Sequence, residues 1–160
     1  MLDPVLRHFF TPRHQKYRAK AALGQFPYVP LPAAAFRDLL LNAPRDKSFV
    51  DAGCGTGDKL LLAYLYGFSS VTGIDNEKAY LRQAHRLLPA SIILRHADIR
   101  RINYAAYDVI YFYRPFEDLK RERRFEEHVW ETAKPGAYIL LGMQPIANCY
   151  EAAQRWYVKP

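Results

Sequence analysis

The sequence is poor in cysteine: Cys54 and Cys149 are its only two thiols in 160 residues. Two thiols exclude a disulfide-dense scaffold and a four-cysteine zinc site. Long apolar runs are also missing. The longest, Leu60 to Tyr66, is far too short to cross a bilayer. The N-terminus, MLDPVLRHFFTPRHQK, lacks the apolar core of a secretory signal. Neither His8 with His14 nor His85 with His96 has a metal-binding geometry, so no metal is expected. No internal repeat, low-complexity tract or Gly/Ser linker interrupts the chain. These absences predict one cytoplasmic domain over residues 1–160, in a reducing setting and off the membrane.

What is present describes a packed protein. Half the residues are apolar and 14% are aromatic, which excludes a disordered chain. The formal net charge is +7. Residues 1–24 carry Arg7, Arg13, Lys16, Arg18 and Lys20 against a lone Asp3. A second basic knot is Lys120-Arg121-Glu122-Arg123-Arg124, and a third comprises Arg95, Arg100 and Arg101. Such an excess attracts polyanions, but each group reads equally well as a solvated face. Sequence alone does not place the three together.

Residues 1–32 read as a basic helical extension and 33–160 as the core. Thr11-Pro12 is an N-cap followed by proline at the first helical position, opening a helix to Leu23 that Gly24 stops. A proline-spaced loop spans Phe26 to Pro32, and a short helix Ala33 to Leu41. Strands are predicted at 48–52, 71–75, 91–95, 108–113 and 137–143. Helices are predicted at 59–66, 77–88 and 117–133. In the last helix Leu119, Phe125, Val129 and Trp130 are the expected inward residues. Strands alternating with helices imply an α/β fold with a parallel sheet covered on both faces.

The stretch Phe49-Val50-Asp51-Ala52-Gly53-Cys54-Gly55-Thr56-Gly57-Asp58 carries the chemistry. A buried strand runs into three glycines at alternate positions, which permit a tight turn and close approach of a ligand to backbone. The following helix presents free N–H groups there. Asp75 follows 24 residues after Asp51, at the end of the next strand, where a carboxylate can accept both hydroxyls of a ribose. The competing interpretation is a structural turn with an incidental acid. The Gly-x-Gly-x-Gly spacing is not that of dinucleotide sites. Asp51 disfavours a pyrophosphate and suits a ligand with a cationic amino group. S-adenosylmethionine combines an ammonium, a sulfonium, a ribose and an adenine.

Val50-Asp51-Ala52-Gly53-Cys54-Gly55-Thr56-Gly57 resembles motif I of the class I S-adenosylmethionine-dependent methyltransferases. Gly73-Ile74-Asp75, with Asn76 beside it, is similar to their ribose-binding motif. Ala97-Asp98-Ile99 resembles the motif in which an acid and the next backbone N–H read the adenine edge. Pro27-Tyr28-Val29-Pro30-Leu31-Pro32 is similar to a Tyr-Val-Pro-Thr-Pro segment of small protein-lysine methyltransferases that closes over the cofactor, with Leu31 in place of the threonine. The resemblance runs from about Phe26 to Met143. It implies a Rossmann-like three-layer sandwich, S-adenosylmethionine as cofactor, and contacts from Tyr28, Pro30, Asp51, Gly53, Cys54, Gly55, Gly57, Asp75, Asn76, Asp98 and Ile99.

The end of the 108–113 strand would line the transfer site, making Tyr111, Tyr113, Arg114 and Phe116 the catalytic candidates. Tyr113-Arg114-Pro115-Phe116 retains only the Pro and final aromatic of the Asn/Asp-Pro-Pro-Tyr/Phe motif used on exocyclic base amines. Tyr hydroxyls could orient a lysine amine, and aromatic faces suit a cation. Tyr111 and Phe112 equally read as core residues of a central strand. Cys54, a loop residue, is not expected to be catalytic.

Only 17 residues follow Met143. They offer a short helix over Asn148–Arg155 and one strand at 156–158, where the family has a reversed hairpin of two strands. Either the sheet is shortened or the chain is trimmed, and an uncovered edge predicts a homodimer. The acceptor is expected to be a macromolecule, a protein amine or RNA. A small-molecule acceptor and a non-catalytic cofactor-binding module are the alternatives; the glycine spacing opposes a nicotinamide or flavin oxidoreductase.

Overall fold

The computed structural model describes residues 31–151 and 154–160. The predicted N-terminal helix, its basic residues, and Tyr28 and Pro30 lie outside the described residues. In chain order the elements are α1 (Ala33–Leu40), β1 (Ser48–Ala52), α2 (Asp58–Tyr66), β2 (Ser70–Asp75), α3 (Lys78–Leu87), β3 (Ile93–His96), two short 3-10 turns (Ile99–Arg101 and Tyr104–Ala106), β4 (Val109–Phe112), α4 (Leu119–Thr132), β5 (Tyr138–Leu141) and β6 (Trp156–Val158).

The sheet order is β3-β2-β1-β4-β5-β6. β1 pairs parallel with both β2 and β4, and among the described residues only the β5–β6 pair is antiparallel. The chain therefore starts in the middle, runs outward to β3, and returns to the other side of β1. That reversal opens a crevice at the carboxyl ends of β1 and β4. The strands are short and apolar because both faces are covered, and their residues alternate between two cores. Phe49, Val109, Tyr111 and Leu140 pack with Phe36 of α1, Leu60 of α2 and Leu81 of α3. Val50, Ile110, Phe112, Ile139 and Leu141 pack with Phe125 and Val129 of α4. The mostly parallel α/β sandwich predicted from the alternating pattern is the observed fold.

Two expectations are corrected. Leu119 is 60% exposed, while Glu122 and Glu126 lie on the buried face of α4 beside Phe125 and Val129. The 122–125–126–129 spacing is a helical stripe, and its two carboxylates are inside because loop N–H groups meet them there. Among the described residues no helix forms between Asn148 and Arg155. Glu126 Oε2 instead accepts from the backbone N–H groups of Ile146 (2.7 Å) and Ala147 (2.6 Å), leading the chain across α4. Tyr150 packs on Trp130 and Tyr157 at 5.0 and 4.9 Å between ring centres. β6 then forms, as expected, as a single strand on the edge of β5.

Candidate active site

Four strand ends deliver the predicted residues to one rim. Asp51, the penultimate residue of β1, is in register with Gly73 of β2 and Tyr111 of β4. Asp75 ends β2 opposite His96, and Asp98 follows β3. The glycine loop folds back from β1: Gly53 and Cys54 donate backbone N–H bonds to Ile74 O at 2.8 and 3.1 Å. Gly57 caps α2.

Asp75 locks this loop. Its Oδ2 accepts from Gly55 N–H and its Oδ1 from Glu77 N–H, both at 2.8 Å. Burial raises the Asp75 pKa, and the backbone bonds from Glu77 and Gly55 oppose the rise. Asp51 is buried, and its pKa is pushed well up, first by desolvation and then by Asp58, with Asp75 adding to it and Lys59 opposing. Lys59 Nζ sits 2.7 Å from Asp58 Oδ2. Three carboxylates thus crowd one buried corner beside Lys59.

Asp98 accepts from Arg100 twice through the guanidinium, at 2.9 and 2.7 Å, and once from its backbone N–H. Arg100 holds the Asp98 carboxyl below its ordinary range. Ile99 is buried next to it. Asn76 is exposed, and its carbonyl accepts from His96 Nε2 at 3.0 Å. Cys54 is buried, with its thiol pKa raised by desolvation, which leaves it unreactive.

The four catalytic candidates separate. Tyr111 lies in the core, its ring 4.7 Å from that of Phe36. Phe116 is also buried, 5.6 Å from Phe125. Tyr113 and Arg114 stay partly exposed at the end of β4. Arg114 has φ +35°, a left-handed conformation that costs a non-glycine residue roughly 1–3 kcal/mol. Its Nη2 donates to Gln144 O at 3.0 Å. A Cβ added to Gly53 would meet Pro115 Cβ at 3.5 Å, so the Arg114–Phe116 loop lies directly on the glycine loop.

Sequence reasoning missed Lys59, Glu122 and Glu126. The acidic stripe at i and i+4 on the apolar face of α4 was the signal for the last two. Lys59 had none beyond its position in an apolar helix.

Residues 49–136 match the methyltransferase domain family. Among solved structures, an RNA methyltransferase from Salinibacter ruber superposes with TM-score 0.61 at 17% identity, over 71% of this chain and 76% of that one. An S-adenosylmethionine-dependent methyltransferase from Methanosarcina mazei gives 0.56 at 24%, over 64% and 55%. One from Mesorhizobium loti gives 0.55 at 26%, over 70% and 54%. The chain thus spans about half the length of the latter two. No curated protein matches it in sequence.

The corner fits the cofactor of these enzymes. Both Asp75 oxygens accept from backbone N–H groups and the carboxylate retains acceptor capacity for the ribose. The Asp51, Asp58 and Asp75 carboxylates call for positive charge, which an ammonium and a sulfonium supply. Gly55 has φ +54° with its N–H turned to Asp75. Gly55→Val should strain that turn by about 1–3 kcal/mol and abolish S-adenosylhomocysteine binding in titration calorimetry. Wild-type affinity in a folded Gly55→Val protein would show that the ligand lies elsewhere. With the family match over more than half its length, the acid-lined glycine loop and the parallel sheet behind it, the chain belongs to the class I S-adenosylmethionine-dependent methyltransferases.

Proposed function

We propose that this methyltransferase acts on a macromolecular polyanion, RNA in particular. Supporting this is the union of two basic groups beside the transfer site. His128 Nε2 meets Ile102 O at 2.7 Å, and the Arg100 guanidinium lies 5.8 Å above the Phe116 ring. The Ile99–Arg101 turn is therefore seated against α4. Arg124 and Arg121, four and seven residues before His128, share its helix flank. The Ile99–Arg101 turn thus brings Arg100 and Arg101 towards the helix that carries Arg121 and Arg124, and the Arg101 side chain is 87% exposed.

S-adenosylmethionine supplies a methyl group activated by its sulfonium for in-line displacement. The chain's own residues bind and orient. Asp75 holds the ribose, the Asp51 corner offsets positive charge, and Tyr113 and Arg114 face the acceptor end. The chain's part is to hold the acceptor's lone pair in line with that methyl group. Holding the two in line is worth ~7–11 kcal/mol of barrier.

Labelled methyl transfer to a cell lysate, divided by ribonuclease and protease, tests the reading. Ribonuclease-sensitive label is expected. Activity should fall with salt with a log–log slope near −0.7 per phosphate contacted on a single strand. Protease-sensitive label would point instead to a protein amine, and salt-insensitive transfer to a small acceptor. Binding of S-adenosylhomocysteine with no transfer to any fraction would favour a non-catalytic module. Both cysteines are free thiols, which suits the cytoplasm. A homodimer would use the edge strand β6, where Trp156 and Val158 are exposed; a monomer in light scattering would remove that part of the reading.

A further inference from the structure

Behind the Arg114–Phe116 loop lies a polar cluster that cofactor binding does not use. Glu122, 0% exposed, accepts from Phe116 N–H through Oε2 at 2.9 Å. Its Oε1 is buried and makes no hydrogen bond among the described residues, and the same holds for Arg114 Nε. One turn along α4, Glu126 holds the N–H groups of Ile146 and Ala147. Two buried carboxylates thus hold the two loops that follow β4 and β5, and the Arg114 side chain reaches from the first to Gln144 O of the second. The strained Arg114 conformation persists only where such contacts over-determine it.

We propose that Glu122 is a positioning residue for methyl transfer: in its protonated form it clamps the Arg114–Phe116 loop onto the glycine loop, so closure of the cofactor site takes up a proton. This rests on the reading of that loop as the acceptor end of the site. The groups facing Glu122 agree with it. On its own helix stands Glu126, with Arg123 near the latter; on the loop, Arg114; beyond Phe116, the Arg100–Asp98 pair; and from the C-terminal segment, the Tyr150 hydroxyl on Glu126 O. Burial pushes Glu122 up to about 8, the Phe116 N–H and Arg114 oppose the rise, and Glu126 reinforces it.

The sign follows from linkage. An open loop exposes the carboxyl to water, where it ionises in the ordinary range near 4.5. Closure raises its pKa, so the closed state is favoured fully at low pH. That advantage is lost as pH rises through about 8.

The test is the affinity of the full chain for 5′-methylthioadenosine, which carries the ribose, adenine and thioether but no amino group to titrate. Between pH 7 and pH 9 the wild-type Kd should weaken by about five- to tenfold, since one pH unit above its pKa a group is about 90% ionised. Calorimetry at pH 7 in two buffers of different ionisation enthalpy should show uptake of close to one proton on binding, falling to about a tenth of a proton at pH 9. Glu122→Gln keeps an acceptor for Phe116 N–H but cannot ionise. Its Kd should change less than about twofold, with no uptake. If Glu122→Gln fails to fold, Glu122→Met replaces it, with weaker binding at every pH but the same flat profile. Parallel pH profiles in wild type and variant overturn the proposal while leaving the cofactor reading intact. Absence of binding by wild type at any pH overturns both.

Discussion

Asp75→Ala is expected to weaken S-adenosylmethionine and S-adenosylhomocysteine binding by at least about 100-fold. Hydrogen bonds to an ionised group contribute roughly 1.5–3 kcal/mol each, and the carboxylate retains acceptor capacity for the ribose. Its loss also frees the Gly55 and Glu77 N–H groups, which now lock the glycine loop to β2. The second effect separates Asp75 from a residue that merely touches ligand. Asp75→Asn retains two acceptor positions at most and should fall between alanine and wild type. Titration calorimetry with S-adenosylhomocysteine measures the loss, and a circular-dichroism melt checks that the variant is folded. A folded Asp75→Ala protein with wild-type affinity would remove this corner as the cofactor site.

Gly73→Val should be the most destabilising substitution in the sheet. Gly73 lies in the middle of β2 beneath the glycine loop. A Cβ there would come 2.3 Å from Leu60 Cδ1, 2.8 Å from Cys54 Sγ and 3.1 Å from Cys54 Cβ. Leu60 has 0% exposure and Cys54 2%, so neither has room to withdraw. Overpacking of this kind costs about 3 kcal/mol, which for 160 residues lowers Tm by roughly 6–12 °C. Cofactor binding should fail with it, because the loop and the start of α2 would be pushed off β2. Combining Gly73→Val with Leu60→Ala should recover part of the lost stability. An unchanged Tm in Gly73→Val would show that the loop does not pack as described.

Much of this architecture is legible in the residues because its signals are local. A strand such as Phe49–Ala52 is an apolar run ended by glycine. α2 begins after Gly57 and stops at Gly67, both with positive φ. The acids at the ends of β1 and β2 stand out because a carboxylate after an apolar strand is costly unless something meets it. For the elements that form, predicted and observed ends differ by at most two residues, as fraying ends do.

The remaining features depend on what packs against what. Nothing near Leu119 in sequence distinguishes it from Phe125 as an inward residue. The distinction arises because the Phe116, Ile146 and Ala147 N–H groups need acceptors at the face of α4 that Glu122 and Glu126 occupy. Tyr111 lies within β4 and Tyr113 just past its end, and the aromatic cluster of Phe36 and Phe49 makes Tyr111 core. Arg100 and α4 are brought together by the His128 bond to Ile102, a contact between residues 26 apart. By itself the sequence determined the strand–helix alternation, the glycine loop, its acids and hence the family, since periodicity and turn chemistry act over a few residues. Tertiary structure alone decided which carboxylates are buried, which tyrosine joins the core and which turn packs against α4, because desolvation and side-chain pairing depend on neighbours distant in the chain.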